Sequence, residues 1–392
     1  MRIVDVCAFY APQGGGVRTY VERKLAAASL GDHEMIVVAP GASDGTIREM
    51  PGGRIVTLSA PSFPLDRRYR YFDNEPALHD LLDELAPDIV EASSPWSSAS
   101  MVGRWRGAAL RSLVMHADPL AAYPYRWFGS VASRRAIDRG FDFFWRHLRR
   151  LDARFDMVVS ASESLSSRLV AGGLSKVRTI PMGVDPGLFS PALRDEALRA
   201  KLLERCGLGP DATLLLGLGR HAPEKRWPMV IDAAVAAGYG HPIGLLLIGD
   251  GRDRARVVRA AGHNPHIHLG APVTDRRELA AILASADALV HGCEAETFCI
   301  TAAEARASGL PLIVPDEGGA SDQAREGQGF RYRSRSAASL TAAIRRFVTE
   351  DRDGHRARAK REAGQVRSMD SHFRDLIAAY EGARAIAAPR AA

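Results

Sequence analysis

The sequence predicts an α/β protein built from two doubly wound, parallel-sheet domains. Short runs rich in valine, isoleucine and leucine recur along the chain, with helix-like segments between them. This is the pattern of parallel strands that are buried on both faces and joined by helical crossovers. The alternation stops in a polar, helix-forming stretch at 191–207 and then restarts. A length of 392 residues is also that of two or three ordinary domains.

The strand-like runs divide into two sets. Seven precede residue 186, at 2–9, 34–40, 53–59, 87–93, 111–117, 156–162 and 176–184. Five follow the polar stretch, at 213–219, 243–249, 266–272, 287–292 and 310–316. We therefore expect an N-terminal domain at 1–188 and a second domain at 189–370. A last apolar-striped helix at 371–388 can pack back on the first domain.

Composition excludes several classes of protein. With 46% hydrophobic and 25% charged residues, the chain is neither disordered nor fibrous. It has no apolar run long enough for a membrane span, and its start lacks the pattern of a signal peptide, so we expect a cytoplasmic protein. The four cysteines are expected to be reduced thiols, because they form neither a disulfide framework nor a zinc motif; they are Cys7, Cys206, Cys293 and Cys299.

A glycine run follows the first strand. Gly14, Gly15 and Gly16 precede a helix predicted to begin near Val17. Such a run lets the backbone approach a ligand, and the helix start offers free N–H groups to a phosphate or a sugar oxygen. A plain tight turn explains the same residues equally well, and the lysine of a nucleotide-binding P-loop is missing.

The segment at 213–225 supports two interpretations. Gly217, Gly219 and Ala222 fit the dinucleotide fingerprint of an NAD domain, although no acidic residue ends a strand about 20 residues later. Alternatively, Arg220 and Lys225 aim two cations at one anionic group from the end of a strand.

The strongest motif lies at 291–322. Glu296 and Glu304 are separated by seven residues, with a turn at 297–300 and a helix predicted to start near Thr301. Carboxylates can accept hydrogen bonds from sugar hydroxyls, and the free N–H groups at 298–301 can bind a phosphate, assisted by the helix dipole.

From Glu296 onward this segment resembles the signature of retaining glycosyltransferase family 4, whose fold is GT-B. The signature runs from the first glutamate to the second, then through a small-Gly-x-Pro step and a strand to a Gly-Gly turn. Other motifs occur in family order, namely the glycine run at 14–16, the segments at 31–41 and 181–189, Gly219 with Arg220 and Lys225, the IGDG loop and the run at 283–292. The resemblance covers residues 1–325.

The resemblance implies two Rossmann-like domains facing across a cleft, the first binding the acceptor and the second the nucleotide-sugar donor. It assigns the donor diphosphate to Arg220 and Lys225, the ribose to Glu304 and the transferred sugar to Glu296, and places His116 beside that sugar. Gly15 and Gly16 belong to the acceptor loop. The remaining expected donor contacts are Gly219, Gly270, Val273, Thr297, Phe298, Cys299, Ile300 and Thr301, with the nucleobase against 270–273.

Two positions depart from the family pattern. Cys299 replaces the usual glycine after the phenylalanine of the signature, which restricts the loop if that position needs a positive φ. Met182 stands where asparagine is common, and we expect it to affect only the hinge between the domains.

Residues 101–154 are strongly basic, with eleven arginines and four aspartates. Ile137, Phe141, Phe144, Leu148 and Leu151 are spaced as one apolar helical stripe, which predicts a core face with solvated arginines on the other side. Arginines beside Tyr123, Tyr125, Trp127 and Phe128 also suit an anionic membrane surface. A nucleic-acid partner is less well supported, because no known binding module is present.

The resulting hypothesis is a hexose transfer from a UDP- or GDP-sugar to an acceptor hydroxyl, with retained configuration and without a metal or other cofactor. The acceptor would be a lipid-linked or saccharide hydroxyl, at the inner face of the cell membrane. The one DxD, Asp351 with Asp353, lies far in sequence from the donor motifs. The alternatives are an NAD-dependent oxidoreductase, a non-catalytic nucleotide-sugar binder, and a phosphorylase or epimerase of the same fold.

Overall fold

The structure is a computed structural model that describes residues 1–10, 16–29, 31–50, 52–63, 69–129, 131–324 and 329–387. The chain forms two compact units. Unit 1 is Met1–Pro181 with Asp370–Ala392, and unit 2 is Met182–Met369. The division falls seven residues before the position expected from the sequence, because the chain from Met182 onward already pairs within unit 2. Val184 forms a β-bridge with Ser368, and its carbonyl accepts from Met369 N at 2.9 Å.

Unit 1 contains one eight-stranded sheet in the order β3-β4-β2-β1-β5-β6-β7-β8. All neighbours are parallel except β3 and β4. The strands are β1 Arg2–Cys7, β2 Glu34–Gly41, β3 Gly45–Met50, β4 Gly53–Ser59, β5 Ile89–Ser93, β6 Leu110–Met115, β7 Met157–Ser160 and β8 Val177–Thr179. The helices are α1 Gly16–Ala28, α2 Glu75–Leu85, α3 Ser97–Arg104, α4 Pro119–Ala122, α5 Pro124–Phe128, α6 Arg134–Gly140, α7 Asp142–Arg154 and α8 Glu163–Ala171.

Unit 2 contains a six-stranded parallel sheet in the order β11-β10-β9-β12-β13-β14. Its strands are β9 Thr213–Leu218, β10 Ile243–Ile248, β11 Ile267–Gly270, β12 Ala288–Val290, β13 Leu312–Pro315 and β14 Gly329–Tyr332. Its helices are α9 Glu196–Glu204, α10 Trp227–Gly238, α11 Arg254–Ala261, α12 Arg276–Ser285, α13 Ile300–Ala307, α14 Gly318–Gln323, α15 Ala337–Thr349 and α16 Arg352–Glu362. Single 3-10 turns occur at Pro191–Leu193, Pro223–Lys225 and Ala363–Gln365, and the last helix, α17 Met369–Ala387, returns the chain to unit 1.

The two doubly wound α/β sheets confirm the predicted fold class. Each of the twelve predicted runs contains a strand. The central strands β1 and β9 are almost completely buried. The sequence analysis missed β3 and β14. β3 is an exposed edge strand with the sequence GTIREM, so it has no apolar run that marks a buried strand.

The predicted stripe from Ile137 to Leu151 is correct in its burial but wrong as one helix. The chain breaks between α6 and α7 at Phe141, whose φ and ψ are −107° and 24°. Ile137, Leu148 and Leu151 are buried in the unit 1 core, and Phe141 and Phe144 pack against it. The apolar face that the periodicity assigned to one helix is therefore formed by two short helices, α6 and α7.

Each sheet has a point where its strand order reverses. β1 lies between β2 and β5 in unit 1, and β9 lies between β10 and β12 in unit 2. In open α/β sheets the carboxyl ends of the strands at such a point form the usual ligand site. None of the described helices is long and apolar enough to cross a membrane.

Candidate active site

An ion pair lies at the strand reversal of unit 2. Lys225 belongs to the 3-10 turn that follows β9, and Glu296 lies in the loop after β12. Because these strands are neighbours, their carboxyl ends bring the two side chains together, and Lys225 Nζ donates a hydrogen bond to Glu296 Oε1. Both side chains are mostly buried, with 16% and 22% exposed.

The charges of this pair are stabilised by each other. Burial alone would raise the pKa of Glu296, but the Lys225 ammonium and the His291 imidazole hold it well below its usual range. Burial alone would lower the pKa of Lys225, but the Glu296 carboxylate raises it instead. The site therefore keeps one cation and one anion at neutral pH.

His291 lies behind the ion pair. Its Nε2 is 3.3 Å from Glu296 Oε1 and 3.7 Å from Cys299 Sγ. Burial lowers the pKa of the imidazole despite the neighbouring carboxylate, so the ring is neutral at pH 7. A neutral ring can donate its Nε2 proton to Glu296, which fixes the direction of the carboxylate.

The same three residues have the chemistry of metal ligands. His291, Glu296 and Cys299 each place one ligand atom within 4.8 Å of the others. However, the Lys225 ammonium occupies the Glu296 carboxylate, and burial raises the pKa of the Cys299 thiol well above its usual value. These contacts describe an ion pair with a neutral thiol rather than a prepared cation site.

A second ion pair joins the same two segments. Arg226 Nε donates to Glu294 Oε2 at 2.8 Å, and its NH2 group donates to Glu294 Oε1. This bidentate contact is the geometry in which arginine binds carboxylates most specifically. It holds the 3-10 turn of Lys225 against the loop of Glu296, next to the Lys225–Glu296 ion pair.

The loop after Glu296 leads into α13. Gly319 N donates to Glu296 O at 2.7 Å, and Gln323 Nε2 donates to Phe298 O at 3.3 Å, so α14 supports the loop from behind. A Cβ at Gly319 would lie 2.6 Å from Phe298 N, which explains the second glycine of the Gly-Gly turn. The first N–H groups of α13, at Ile300 and Thr301, have no partner within the helix and can bind an anion.

Cys299 occupies the position that the sequence analysis identified as a departure. Its φ is 67°, in the left-handed region that favours glycine. The loop thus keeps the backbone conformation of a glycine while carrying a thiol. The cost of this conformation is of the order of 1 kcal/mol, and the buried thiol packs against His291.

Arg220 lies two positions past the end of β9, and its side chain contacts Glu224. Its side chain is 72% exposed and its NH2 group lies 3.7 Å from Glu224 Oε1, whereas Lys225 contacts Glu296. The two cations predicted to meet one anion therefore have different partners in this structure. Gly219 has a φ of 144°, and the Cβ of any other residue there would lie 3.4 Å from the Trp227 ring.

The segment around Gly219 differs from a dinucleotide fingerprint. In that motif the glycines open the helix itself. Here α10 begins at Trp227, after a separate 3-10 turn at Pro223–Lys225. Ala222 therefore precedes this turn and does not lie in the helix, and the local geometry does not favour the NAD interpretation.

The remaining donor-site predictions lie at the same edge of unit 2. Glu304 lies in α13, with a side chain that is 6% exposed, and its Oε1 accepts from Arg276 at 2.7 Å. Gly270 ends β11, and its carbonyl accepts from Gly249 N at 3.2 Å. Val273 lies in the partly exposed loop between β11 and α12.

Unit 1 holds His116 at the end of β6. The His116 ring meets the Tyr20 ring edge-on, with centroids 4.7 Å apart, and Tyr20 is hydrogen-bonded to His372 of α17 at 3.0 Å. Burial lowers the pKa of His116 to about 4, so the imidazole is neutral at pH 7. Gly16 begins α1, whereas Gly14 and Gly15 lie outside the described residues.

Several residues of the site were missed by the sequence analysis. His291 lies one position past β12, Arg226 and Glu294 flank the predicted pair, and Arg276 begins α12. His291 and Arg276 share a signal that could have identified them, because each is polar and lies at or just after the carboxyl end of a predicted strand run, 287–292 and 266–272 respectively. The partners of Arg276 could not be predicted, since its contacts with Glu304 and Asp185 join residues 28 and 91 positions apart.

The two halves of the chain match two family models. Residues 14–188 match the model described as "Glycosyltransferase Family 4". Residues 200–366 match the model described as "Glycosyl transferases group 1". The order of the two matches agrees with the two units of the structure.

Curated relatives cover most of the chain. A GDP-mannose-dependent alpha-(1-6)-phosphatidylinositol dimannoside mannosyltransferase from Mycobacterium tuberculosis is 29% identical over 388 residues, which are 98% of this chain and 97% of the relative. A GDP-mannose-dependent alpha-mannosyltransferase from Mycobacterium tuberculosis is 30% identical over 339 residues, which are 82% of this chain and 81% of the relative.

Solved structures have the same fold at low sequence identity. Sucrose-phosphate synthase from Thermosynechococcus elongatus gives a TM-score of 0.75 at 19% identity, and the match covers 98% of this chain and 100% of that protein's chain. HepE from Anabaena in complex with UDP and glucose gives a TM-score of 0.70 at 16% identity, covering 97% of this chain and 100% of the other. Both are structural neighbours of the GT-B type.

Proposed function

This chain belongs to glycosyltransferase family 4 and is a nucleotide-sugar glycosyltransferase of the GT-B fold, and we propose that it transfers mannose from GDP-mannose to a glycolipid hydroxyl. The proposed donor rests on the relatives, which are named as GDP-mannose-dependent mannosyltransferases. The proposed acceptor class rests on the phosphatidylinositol dimannoside in the name of one of them.

The observation that carries the proposal is the Lys225–Glu296 pair beside the start of α13. The site offers an ammonium and the first N–H groups of α13, which have no partner within that helix, for a diphosphate, together with a carboxylate for sugar hydroxyls. Transfer builds negative charge on the departing GDP, and fixed cations and N–H groups stabilise such charge as it develops. We therefore assign the diphosphate to Lys225, Arg220 and α13, the mannose to Glu296, and the ribose to Glu304.

The proposed transfer retains the anomeric configuration. The bond between the mannose anomeric carbon and the diphosphate oxygen breaks, and the acceptor oxygen bonds to the same face of that carbon. The acceptor proton passes to the departing phosphate oxygen. This oxygen therefore acts as the base, GDP leaves with the proton, and no protein base is needed. The relatives are named as alpha-mannosyltransferases, which agrees with an α-linked product from an α-linked donor. The neutral His116 is proposed to donate or accept a hydrogen bond beside the sugar.

The first prediction concerns nucleotide selectivity without metal. We expect GDP to stabilise the protein in EDTA more than UDP, ADP or NAD does. At 100 times its dissociation constant, a ligand adds about 2.7 kcal/mol to the free energy of unfolding, which raises Tm by several degrees. Thermal unfolding with each nucleotide measures this.

The transfer assay completes that test. GDP-mannose and a mannosylated inositol lipid in EDTA should yield an α-linked mannoside, identified by the anomeric carbon–hydrogen coupling in NMR. A β-linked product would contradict retention, and transfer only after Mg²⁺ is added would contradict metal independence. Stabilisation by NAD alone would contradict the proposed donor and support the oxidoreductase alternative.

We further propose that unit 1 contacts an anionic membrane through an aromatic surface next to α5. The surface consists of Tyr123, Trp127, Phe128, Val131 and Phe143, which are 42% to 81% exposed. Its rings form a continuous series through Phe141, with neighbouring centroids between 5.6 Å and 6.4 Å apart. Tyr125 is not part of it, because that side chain is buried at 6% exposure.

Charge makes a membrane the favoured partner of this aromatic surface. The exposed arginines nearby include Arg134, Arg135, Arg139 and Arg146. Each basic residue near an anionic leaflet contributes about 1 kcal/mol, and aromatic rings suit the interfacial layer. Such a contact holds unit 1, the proposed acceptor-binding unit, at the inner face of the membrane that carries a lipid-linked acceptor.

Vesicle sedimentation tests this contact. The protein should bind vesicles that contain phosphatidylglycerol and remain unbound with pure phosphatidylcholine, and 0.5 M salt should weaken binding because it screens the charges. The double variant Trp127→Ser with Phe128→Ser should bind at least about tenfold more weakly. Tyr239→Ser is the matched control, since Tyr239 is 87% exposed in unit 2. Equal binding by the double variant and the control would contradict the assignment.

A further inference from the structure

Arg276 joins two buried carboxylates of unit 2. Its NH2 group is 2.7 Å from Glu304 Oε1 and 3.5 Å from Asp185 Oδ2. Both carboxylate side chains are 6% exposed, whereas the Arg276 side chain is 40% exposed. A single guanidinium therefore reaches from the surface to two acids that lie deep in the unit.

The guanidinium is held in place by its surroundings. Arg276 is the first residue of α12, and the N-cap Asp275 accepts from Arg277 N at 2.8 Å, which fixes the start of the helix. Arg276 Cζ lies 5.1 Å from the centre of the Phe189 ring, a cation–π contact that adds about 0.5 to 1 kcal/mol. The arginine is thus anchored at its backbone and at its side chain.

Arg276 supplies a positive charge that counteracts the effect of burial on the Glu304 carboxylate. Burial raises the pKa of Glu304, and Asp185 raises it further, while the Arg276 guanidinium opposes both effects. An isolated carboxylate at this depth is costly and tends to take up a proton. With Arg276 present, the buried acid has a charged partner and a fixed orientation.

The contact with Arg276 leaves the second carboxylate oxygen of Glu304, Oε2, available to a ligand. Within the part of the chain that the structure describes, Glu304 accepts one side-chain hydrogen bond, and it does so through Oε1. An ionised carboxylate has acceptor sites on both oxygens. Oε2 can therefore accept hydrogen bonds from a ligand hydroxyl while Oε1 stays with the arginine.

We propose that Arg276 is a positioning residue for the nucleotide ribose, which fixes the Glu304 carboxylate through Oε1 and so aims Oε2 at the ribose hydroxyls. This inference rests on the proposed function, in which Glu304 contacts the ribose. It adds that α12 supports that contact directly after the loop of Val273, where the nucleobase is expected. Ribose recognition and base recognition then depend on one connected stretch of chain.

Binding of GDP and 2′,3′-dideoxy-GDP in EDTA, measured by calorimetry, tests the proposal. The wild-type protein should bind the dideoxy analogue about 10- to 30-fold more weakly, as expected for the loss of hydrogen bonds to a charged group. Arg276→Ala should bind GDP about tenfold more weakly and distinguish the two nucleotides by less than threefold. Arg276→Lys should recover part of the discrimination. In transfer assays, Arg276→Ala should raise the donor KM and leave kcat within about twofold.

Controls separate this inference from the proposed function. Arg277→Ala is the matched variant, because Arg277 is the exposed neighbour on the same helix, and it should behave like the wild type. If Glu304→Ala binds both nucleotides as the wild type does, the ribose assignment fails and this inference fails with it. If Glu304→Ala loses discrimination but Arg276→Ala keeps it, the ribose assignment stands and the inference about Arg276 is overturned. If UDP is the ligand, the same comparison uses UDP and its dideoxy analogue.

Discussion

Replacing Lys225 with alanine should lower the rate of mannose transfer by about 100- to 1,000-fold, the usual effect of removing one group that stabilises developing negative charge. Lys225 is the mostly buried cation of the proposed donor site, in contact with Glu296. Its loss removes the charge proposed to face the diphosphate. It also removes the partner that keeps Glu296 ionised, so the sugar contact weakens at the same time.

Steady-state assays with GDP-mannose measure this effect, and Lys201→Ala is the control. Lys201 is an exposed lysine of α9 in the same unit, so its replacement should leave transfer unchanged. Thermal unfolding of both variants shows whether the fold survives. Full activity of Lys225→Ala would refute the assignment of the donor site.

The effects of replacing Lys225 and Glu296 on the transfer rate should not be additive. Glu296→Gln alone removes the proposed sugar contact and leaves the Lys225 ammonium without its anionic partner. Because each variant disables the same ion pair, the double variant should be less than about tenfold slower than the slower single variant. If the two losses multiply, the residues act independently, and the description of the site as one unit is wrong.

Lys24→Met should destabilise unit 1 by about 3 to 5 kcal/mol, the range for removing one partner of a buried salt bridge. Lys24 is 2% exposed, and its ammonium contacts two carboxylates, Asp5 on β1 and Glu91 on β5, that are completely buried. Methionine fills a similar volume without the charge. Two buried carboxylates then remain without their cation, which is costly at zero solvent exposure.

Denaturant unfolding measures this loss, and Arg23→Met is the control because Arg23 is the exposed neighbour in α1. The triple variant with Asp5→Asn and Glu91→Gln should recover part of the stability, since it removes the uncompensated charges. A loss below 1 kcal/mol in Lys24→Met would contradict the description of this network.

The same network shows why the last helix belongs to unit 1. Tyr380 of α17 donates a hydrogen bond to Glu91, and its hydroxyl oxygen lies 3.2 Å from Ser112 Oγ, within hydrogen-bond distance. His372 of α17 is hydrogen-bonded to Tyr20 and to Pro181 O at 3.0 Å and 3.1 Å. The sequence predicted a helix at 371–388 with an apolar stripe. It contained no signal for these polar contacts, because their partners are 191 to 352 residues away.

Local patterns were sufficient to predict the secondary structure that surrounds the site. The strands preceding Arg220 and His291 are continuous apolar runs, and the helix containing Glu304 begins one residue from its predicted start. The break at Phe141 was not predicted, since an apolar stripe has the same spacing across two short helices as along one. β3 was missed because an exposed edge strand needs no apolar run.

The sequence by itself determined the two parallel sheets, the order of the motifs along them and the set of polar residues at the strand ends. These properties follow from short-range periodicity and from residue type, which act over a few positions. Only the tertiary structure decided which polar residues become partners. It pairs Lys225 with Glu296, leaves Arg220 beside Glu224, and places Arg276 on Glu304. Such pairing depends on which strands are neighbours and on how deeply each charge is buried, and neither property is visible in a local stretch of sequence.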